Sequence, residues 1–176
     1  MSGILFSKGP VSLVASNMGG VETLHSSVDI PAALCDVGRL VKFHLGVFVE
    51  STDGSDTWQI RVRLGGLTGT LLWAGNNVDT SAYALGVVSG WFWVQGLGAG
   101  DAIMAGGASG YGEAIASVSG ATINKIGLKT DGNTDTGVTL AVTSESSGTS
   151  AGEGVEIGWL RAWVEPGVGT VTTPLP

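Results

Sequence analysis

The sequence predicts an all-β fold, an antiparallel sandwich or barrel of roughly seven to nine strands, and three observations carry that expectation. Glycine supplies 30 of 176 residues, far above the usual share of about 7 %, which leaves little room for long helices. Apolar side chains recur at every second residue in run after run, the period of a half-buried strand. No stretch of a dozen residues carries the i, i+3, i+4, i+7 spacing of an amphipathic helix. Turn-forming clusters separate the runs, at 51–56 (STDGSD), 74–77 (AGNN), 96–101 (GLGAGD) and 130–137 (TDGNTDTG).

The first expected strand, 38–50 (GRLVKFHLGVFVE), places Val41, Phe43, Leu45, Val47 and Val49 on one face and Lys42, His44 and Glu50 on the other. At 57–64, inside DTWQIRVRLGG, Trp58, Ile60, Val62 and Leu64 make an apolar edge; Gln59, Arg61 and Arg63 make a polar row that holds two of the eight basic residues. A short apolar strand follows at 70–74 (TLLWA). The run at 87–95 (VVSGWFWVQ) is apolar on both faces, which calls for a central position or a cover supplied by another subunit. Residues 102–112 (AIMAGGASGYG) are a weaker candidate, and 121–130 (ATINKIGLKT) needs a bulge near Asn124 and Lys125 to keep its alternation. Clean alternation returns at 138–144 (VTLAVTS), and the last strand, 155–165 (VEIGWLRAWVE), sets Trp159 and Trp163 on the same side as Arg161. Residues 1–20 and 167–176 hold short apolar clusters broken by Gly and Pro. They are expected as extended arms flanking one domain at 21–166, ordered by lying on another surface.

Charged residues make up 13 % of the chain, about half the usual ~25 %, and the mean hydropathy is positive. A surface so poor in charge is expected to be covered by neighbouring subunits, hence a homo-oligomer. The formal net charge of -7 excludes nucleic acid as a partner, because phosphate binding needs clustered positive charge. Cys35 is the single cysteine, so neither an intrachain disulfide nor a multi-thiolate zinc site is available. Residues 80–100 are uncharged and long enough to cross a bilayer. Five glycines, Ser81, Ser89, Gln95 and the flanking Asp79 and Asp101 argue against a membrane span. The broken apolar run at the N-terminus does not match a cleaved secretory leader.

Raw material for catalysis is scarce. His25 and His44 are the only imidazoles, and neither sits in an HExxH spacing. No GxSxG elbow occurs, since GASG at 107–110 is one residue short. The expectation is a protein that is not an enzyme and carries no cofactor or metal. Asp131, Asn133 and Asp135 are similar to the first half of a calcium loop. Thr136 and Val142, however, stand where glycine and glutamate would be needed, and a hairpin turn is expected there. The six tryptophans, Trp58, Trp73, Trp91, Trp93, Trp159 and Trp163, suit a sugar-binding groove, a core or a subunit interface. All lie in expected strands rather than loops, which favours core and interface. Lys42 and His44 with Arg61 and Arg63 are expected to share one polar sheet face, either solvated or in contact with another subunit.

The succession VETLHSSVDIPAAL, GRLVKFHLGVFVES, DTWQIRVRLGG with TLLWAGN, SGWFWVQGLGAGD and GVEIGWLRAWVEP, over about residues 21–165, resembles the small jelly-roll virion proteins of tailed bacteriophages. That resemblance implies an antiparallel jelly-roll sandwich akin to the trimeric tumour necrosis factor fold. It also implies a structural role: a homotrimeric capsid decoration or cement protein, a head-fibre base or a tail-fibre domain. Such a protein would be made in the host cytoplasm and placed on the capsid surface, with the major capsid protein or another virion protein as partner. The chain lacks a coiled-coil or β-helical shaft, which favours decoration over a long fibre. The residues expected at subunit or partner contacts are Lys42, His44, Arg61, Arg63, Trp91, Trp93, Trp159, Arg161 and Trp163. The alternative is a receptor- or carbohydrate-binding jelly roll at a fibre.

Overall fold

The structure is a computed structural model and describes residues 4–8, 11–15, 20–35, 38–50, 57–75, 78–79, 84–94, 104–112, 137–147 and 154–165. Among the described residues eleven strands follow one another: β1 (Ile4–Lys8), β2 (Val11–Ala15), β3 (Thr23–Ile30), β4 (Leu40–Glu50), β5 (Thr57–Leu64), β6 (Thr70–Ala74), β7 (Val78–Asp79), β8 (Ala84–Val94), β9 (Met104–Gly112), β10 (Val138–Ser146) and β11 (Gly154–Glu165). A 3-10 turn, Ala32–Leu34, follows β3.

Pairing is nested. The first strands, β1 and β2, lie end to end along the last, β11. Inside them β3 pairs with β10, β4 with β8, and β5 with β6, all antiparallel. A nested antiparallel ribbon of this kind, rolled over itself, distributes its strands into two sheets. Here they are β1-β11-β4-β8-β9, with β2 also on β11, and β3-β10-β5-β6, with β7 also on β5. This is the strand order of a jelly roll.

The core lies between the sheets and follows the expected alternation. Val41, Phe43, Leu45, Val47 and Val49 of β4 are buried, as are Trp58, Ile60, Val62 and Leu64 of β5. On β11 the inward set steps from Ile157 to Leu160, three residues rather than two. A bulge between Ile157 and Trp159 absorbs the extra residue and keeps Leu160, Ala162 and Val164 in the core. A second irregularity opposite Val142 and Thr143 lets His25 and Ser26 of β3 both face inward.

Two expectations change at this level. Residues 4–8 and 11–15, part of the expected N-terminal arm, pair with β11 of their own chain as edge strands. Lys42 and His44 do not share a face with Arg61 and Arg63: β4 belongs to the six-stranded sheet and β5 to the other, so the two pairs sit on opposite outer surfaces. Strands β4 and β5, consecutive in the chain, thus belong to different sheets. The strand expected at 121–130, the loop around Asp131–Asp135 and the tail 167–176 lie outside the described residues.

Candidate functional site

The outer face of the six-stranded sheet is the candidate site. Alternation turns Leu40, Lys42, His44, Gly46 and Phe48 of β4 outward, and registry aligns them with Trp93, Trp91, Ser89, Val87 and Leu85 of β8. On the other side of β4, Glu165, Trp163, Arg161, Trp159 and Glu156 of β11 complete the rows. Four of the six tryptophans therefore share one surface, whereas Trp58 and Trp73 are fully buried in the core. Large apolar groups stay in contact with solvent on this face: Trp93 is 46 % exposed, Leu85 48 % and Phe48 38 %. Exposed apolar side chains gathered on one sheet face make it the candidate contact surface.

Glycines flatten the patch. A Cβ on Gly46 would lie 2.5 Å from the Trp159 ring, and one on Gly158 would lie 2.7 Å from the Phe48 ring, so each ring lies in the slot that the missing side chain leaves. The Trp159 indole Nε1 donates to His44 Nδ1 at 3.3 Å, which needs the neutral imidazole with Nδ1 unprotonated. Trp91 and Trp93 pack with centroids 5.6 Å apart at 54°. Replacing Gly46 with alanine is expected to push Trp159 off the sheet and cost about 1–3 kcal/mol by overpacking, which chemical denaturation and the Trp emission maximum would report.

Charge on this surface is sparse. Lys42 Nζ and Glu165 Oε1 meet at 2.5 Å, both side chains being well solvated, so the pair contributes little to stability. Arg161 is exposed and Glu156 half-buried, and neither has a salt-bridge partner among the described residues.

Arg61 and Arg63 have a different environment. Arg63 grips the Glu22 carboxylate with Nε at 2.5 Å and Nη2 at 2.7 Å, and its Nη1 donates to the Gly69 carbonyl at 2.8 Å. Arg61 Nη1 reaches Glu22 Oε2 at 2.9 Å and Glu145 Oε2 at 2.5 Å, while its Nε donates to Gln59 Oε1 at 2.7 Å. The Thr143 hydroxyl also donates to Glu22. Burial pulls the Glu22 carboxyl upward, but hydrogen bonds from Arg63 and Thr143 and the charges of Arg63 and Arg61 outweigh it, lowering its pKa to about 2. The arginine row is thus an internal clamp that ties the lead-in to β3 across β10 and β5 and braces the β5–β6 turn. Gly65 and Gly66 of that turn, at φ of 96° and 87°, explain the LGG that follows the arginines. A depression of about 200 Å³ opens beside the clamp, lined by Thr57, Gln59, Arg61, Glu145 and Ser147 among others.

On the inner side of β10, His25 Nε2 and Ser144 Oγ are 2.7 Å apart. Both side chains are buried, so this pair does not face a substrate. Burial lowers the His25 pKa to about 4. No group of three or more His, Cys, Asp and Glu side chains that could hold a metal ion occurs among the described residues.

Glu22 and Glu145 escaped sequence reasoning, since nothing local marks an acid that lies 39 and 41 residues from its arginines, as Glu22 does, or one still farther away, as Glu145 is from Arg61. Phe48 and Leu85 were legible in principle, for they share the outward parity of Lys42 and Trp91, whereas Glu156 has the opposite parity to Arg161 and reaches the same face only through the bulge between Ile157 and Trp159.

No family model matches the sequence, and no curated protein matches it. Among solved structures, the chain is similar to the CBM2 module of the evolved Dit of Lactobacillus casei BL23 phage J-1, with 9 % identity, TM-score 0.33, and coverage of 80 % of this chain and 69 % of that one. It is similar to a chain of infectious bursal disease virus, Gx strain, with 12 % identity, TM-score 0.36, and coverage of 96 % and 30 %. A GH43 glycoside hydrolase engineered for endo-xylanase and exo-arabinofuranosidase activity gives 12 % identity, TM-score 0.38, and coverage of 90 % and 36 %. The chain spans about a third of the latter two. Likenesses of this strength assign neither a family nor an activity.

Proposed function

We propose that the chain is a non-enzymatic structural protein of a virion, a capsid decoration protein that assembles as a homotrimer through the outer face of its six-stranded sheet. The observation that carries the reading is that face: Trp91, Trp93, Trp159, Trp163, Phe48 and Leu85 on one surface, on which the described charges of Lys42, Arg161, Glu156 and Glu165 cancel. Desolvating such a surface is favourable at about 25 cal/mol per Å² of apolar area, and a second copy supplies an apolar counterpart. The jelly-roll strand order and the sequence resemblance to phage virion proteins support the placement on a capsid. There the major capsid protein or another virion protein is the partner, and several modest contacts per trimer add through multivalency. The surface position and synthesis in the host cytoplasm follow from that role. Lys42, His44, Trp91, Trp93, Trp159, Arg161 and Trp163 belong to the proposed contact. Arg61 and Arg63 serve it only indirectly, by holding the opposite sheet together.

Cryo-electron microscopy of the virion that carries this chain tests the reading: density for three copies around a three-fold axis on the shell is the expected result, and its absence from the head rejects it. The exposed Trp93 beside Trp91 also favours a second reading, a glycan platform, because aromatic faces stack on sugars. Quenching of tryptophan fluorescence by soluble glycans would select that reading, and silence across a glycan array would discard it.

A further inference from the structure

From the distribution of charge on the aromatic face we infer that Arg161 of one copy pairs with Glu156 of a neighbouring copy, and that this pair sets the register of the assembly. The inference rests on the proposed self-association through this face and adds the residues that orient it.

The two residues stand on the same strand and the same outward side of β11, about 15 Å apart at the rise of a strand. Arg161 is flanked at i±2 by Trp159 and Trp163, and Glu156 lies in register with Phe48. Both are therefore set among the apolar groups that association would cover. The other ionic groups described on the face are already matched: Lys42 with Glu165, while His44 Nδ1 accepts from Trp159. Arg161 and Glu156 have no counter-charge within the described residues.

A charge desolvated without a counter-charge is strongly unfavourable. Covering this face with an uncharged surface would strand both groups. Covering it with a second copy presents one cation and one anion in each partner, and only registers that bring Arg161 to Glu156 satisfy both. Aromatic contact alone is tolerant of sliding, because it is non-directional. The Arg–carboxylate pair is directional and bidentate. Self-complementarity of this kind closes in either a two-fold or a three-fold arrangement, so the pairing holds whichever ring forms.

Charge reversal on the full chain tests it by sedimentation across micromolar concentrations, for the wild type, Arg161→Glu, Glu156→Arg and the double reversal. The expected result is an associated wild type, self-association weakened about tenfold or more in each single reversal, and recovery to within about threefold in the double. Arg161→Gln and Glu156→Gln, which remove charge without reversing it, are expected to weaken association less than the reversals do. Unchanged thermal unfolding of each monomer establishes that folding is intact. An associated wild type with unaffected single reversals, or a double no better than the singles, overturns the pairing while leaving the face as the contact. A monomeric wild type overturns the underlying reading, and with it the pairing; a monomer whose fluorescence responds to soluble glycans assigns the face to sugar.

Discussion

Replacing Glu22 with glutamine is expected to remove about 3 kcal/mol of folding stability, measured by chemical denaturation at pH 7. The carboxylate receives Arg63 through two nitrogens, Arg61 through one, and the Thr143 hydroxyl. Both arginine side chains are less than one-fifth exposed, so the loss of the acid leaves two partly buried cations with diminished compensation. For a chain of this length the change corresponds to a fall of roughly 6–12 °C in Tm.

The same clamp has a pH signature. The Glu22 pKa is lowered from 4.5 to about 2 in the folded protein. Its contribution is therefore full above the unfolded value and is lost as the pH falls from 4.5 toward 2. His25 acts in an adjoining window. Burial lowers its folded pKa from 6.5 to about 4, so the neutral, buried state is fully favourable above 6.5 and is penalised as the pH falls from 6.5 to 4. Each window is worth on the order of 3 kcal/mol at its limit. The expected profile is a stability that begins to decline just below neutrality and falls again below pH 4.5. Glu22→Gln should flatten the lower window alone. A profile flat from pH 7 to 3 would contradict both assignments.

The second large effect divides the tryptophans. Trp58→Ala is expected to cost about 3–5 kcal/mol, because the ring is fully buried between the sheets and its removal leaves a cavity. Trp93→Ala, at a residue 46 % exposed, is expected to change the stability of the isolated chain by less than about 1 kcal/mol. Association should respond in the opposite order, with Trp93→Ala weakening it substantially. Equal stability losses at the two sites would place Trp93 in the fold rather than on a contact surface.

Much of the architecture was legible because a strand with one buried face writes its orientation into every second residue. In β4 and β5 the apolar parity named the buried side chains without exception. Where that signal fades there is a local cause. Strand β3 offers only Val28 and Ile30 as buried apolar residues, and its irregular pairing turns the polar His25 and Ser26 inward together. The pairing of β1 and β2 with β11 joins opposite ends of the chain, a contact that no local pattern encodes.

The candidate site was legible by halves. Trp159, Arg161 and Trp163 were aligned by parity alone, and β11 keeps them so. In β8, apolar residues on both faces left no means of telling which parity faces inward. The structure turns Val88 and Phe92 to the core and Trp91 and Trp93 outward. For Arg61 and Arg63 the strand and side were legible but not the purpose, since a polar row looks the same whether it meets water, another subunit or acids brought from elsewhere in the chain. Here it meets Glu22 and Glu145.

In the proposed assembly the outer face of the six-stranded sheet joins one copy of this protein to another. The most direct test of that contact is the solution mass of the unmodified protein by sedimentation equilibrium at micromolar concentration. A species at three times the 17.7 kDa chain mass, reduced to the single chain when Trp91 and Trp93 are both replaced by serine, is the predicted result. A wild-type protein that sediments as a 17.7 kDa monomer throughout that range would contradict it.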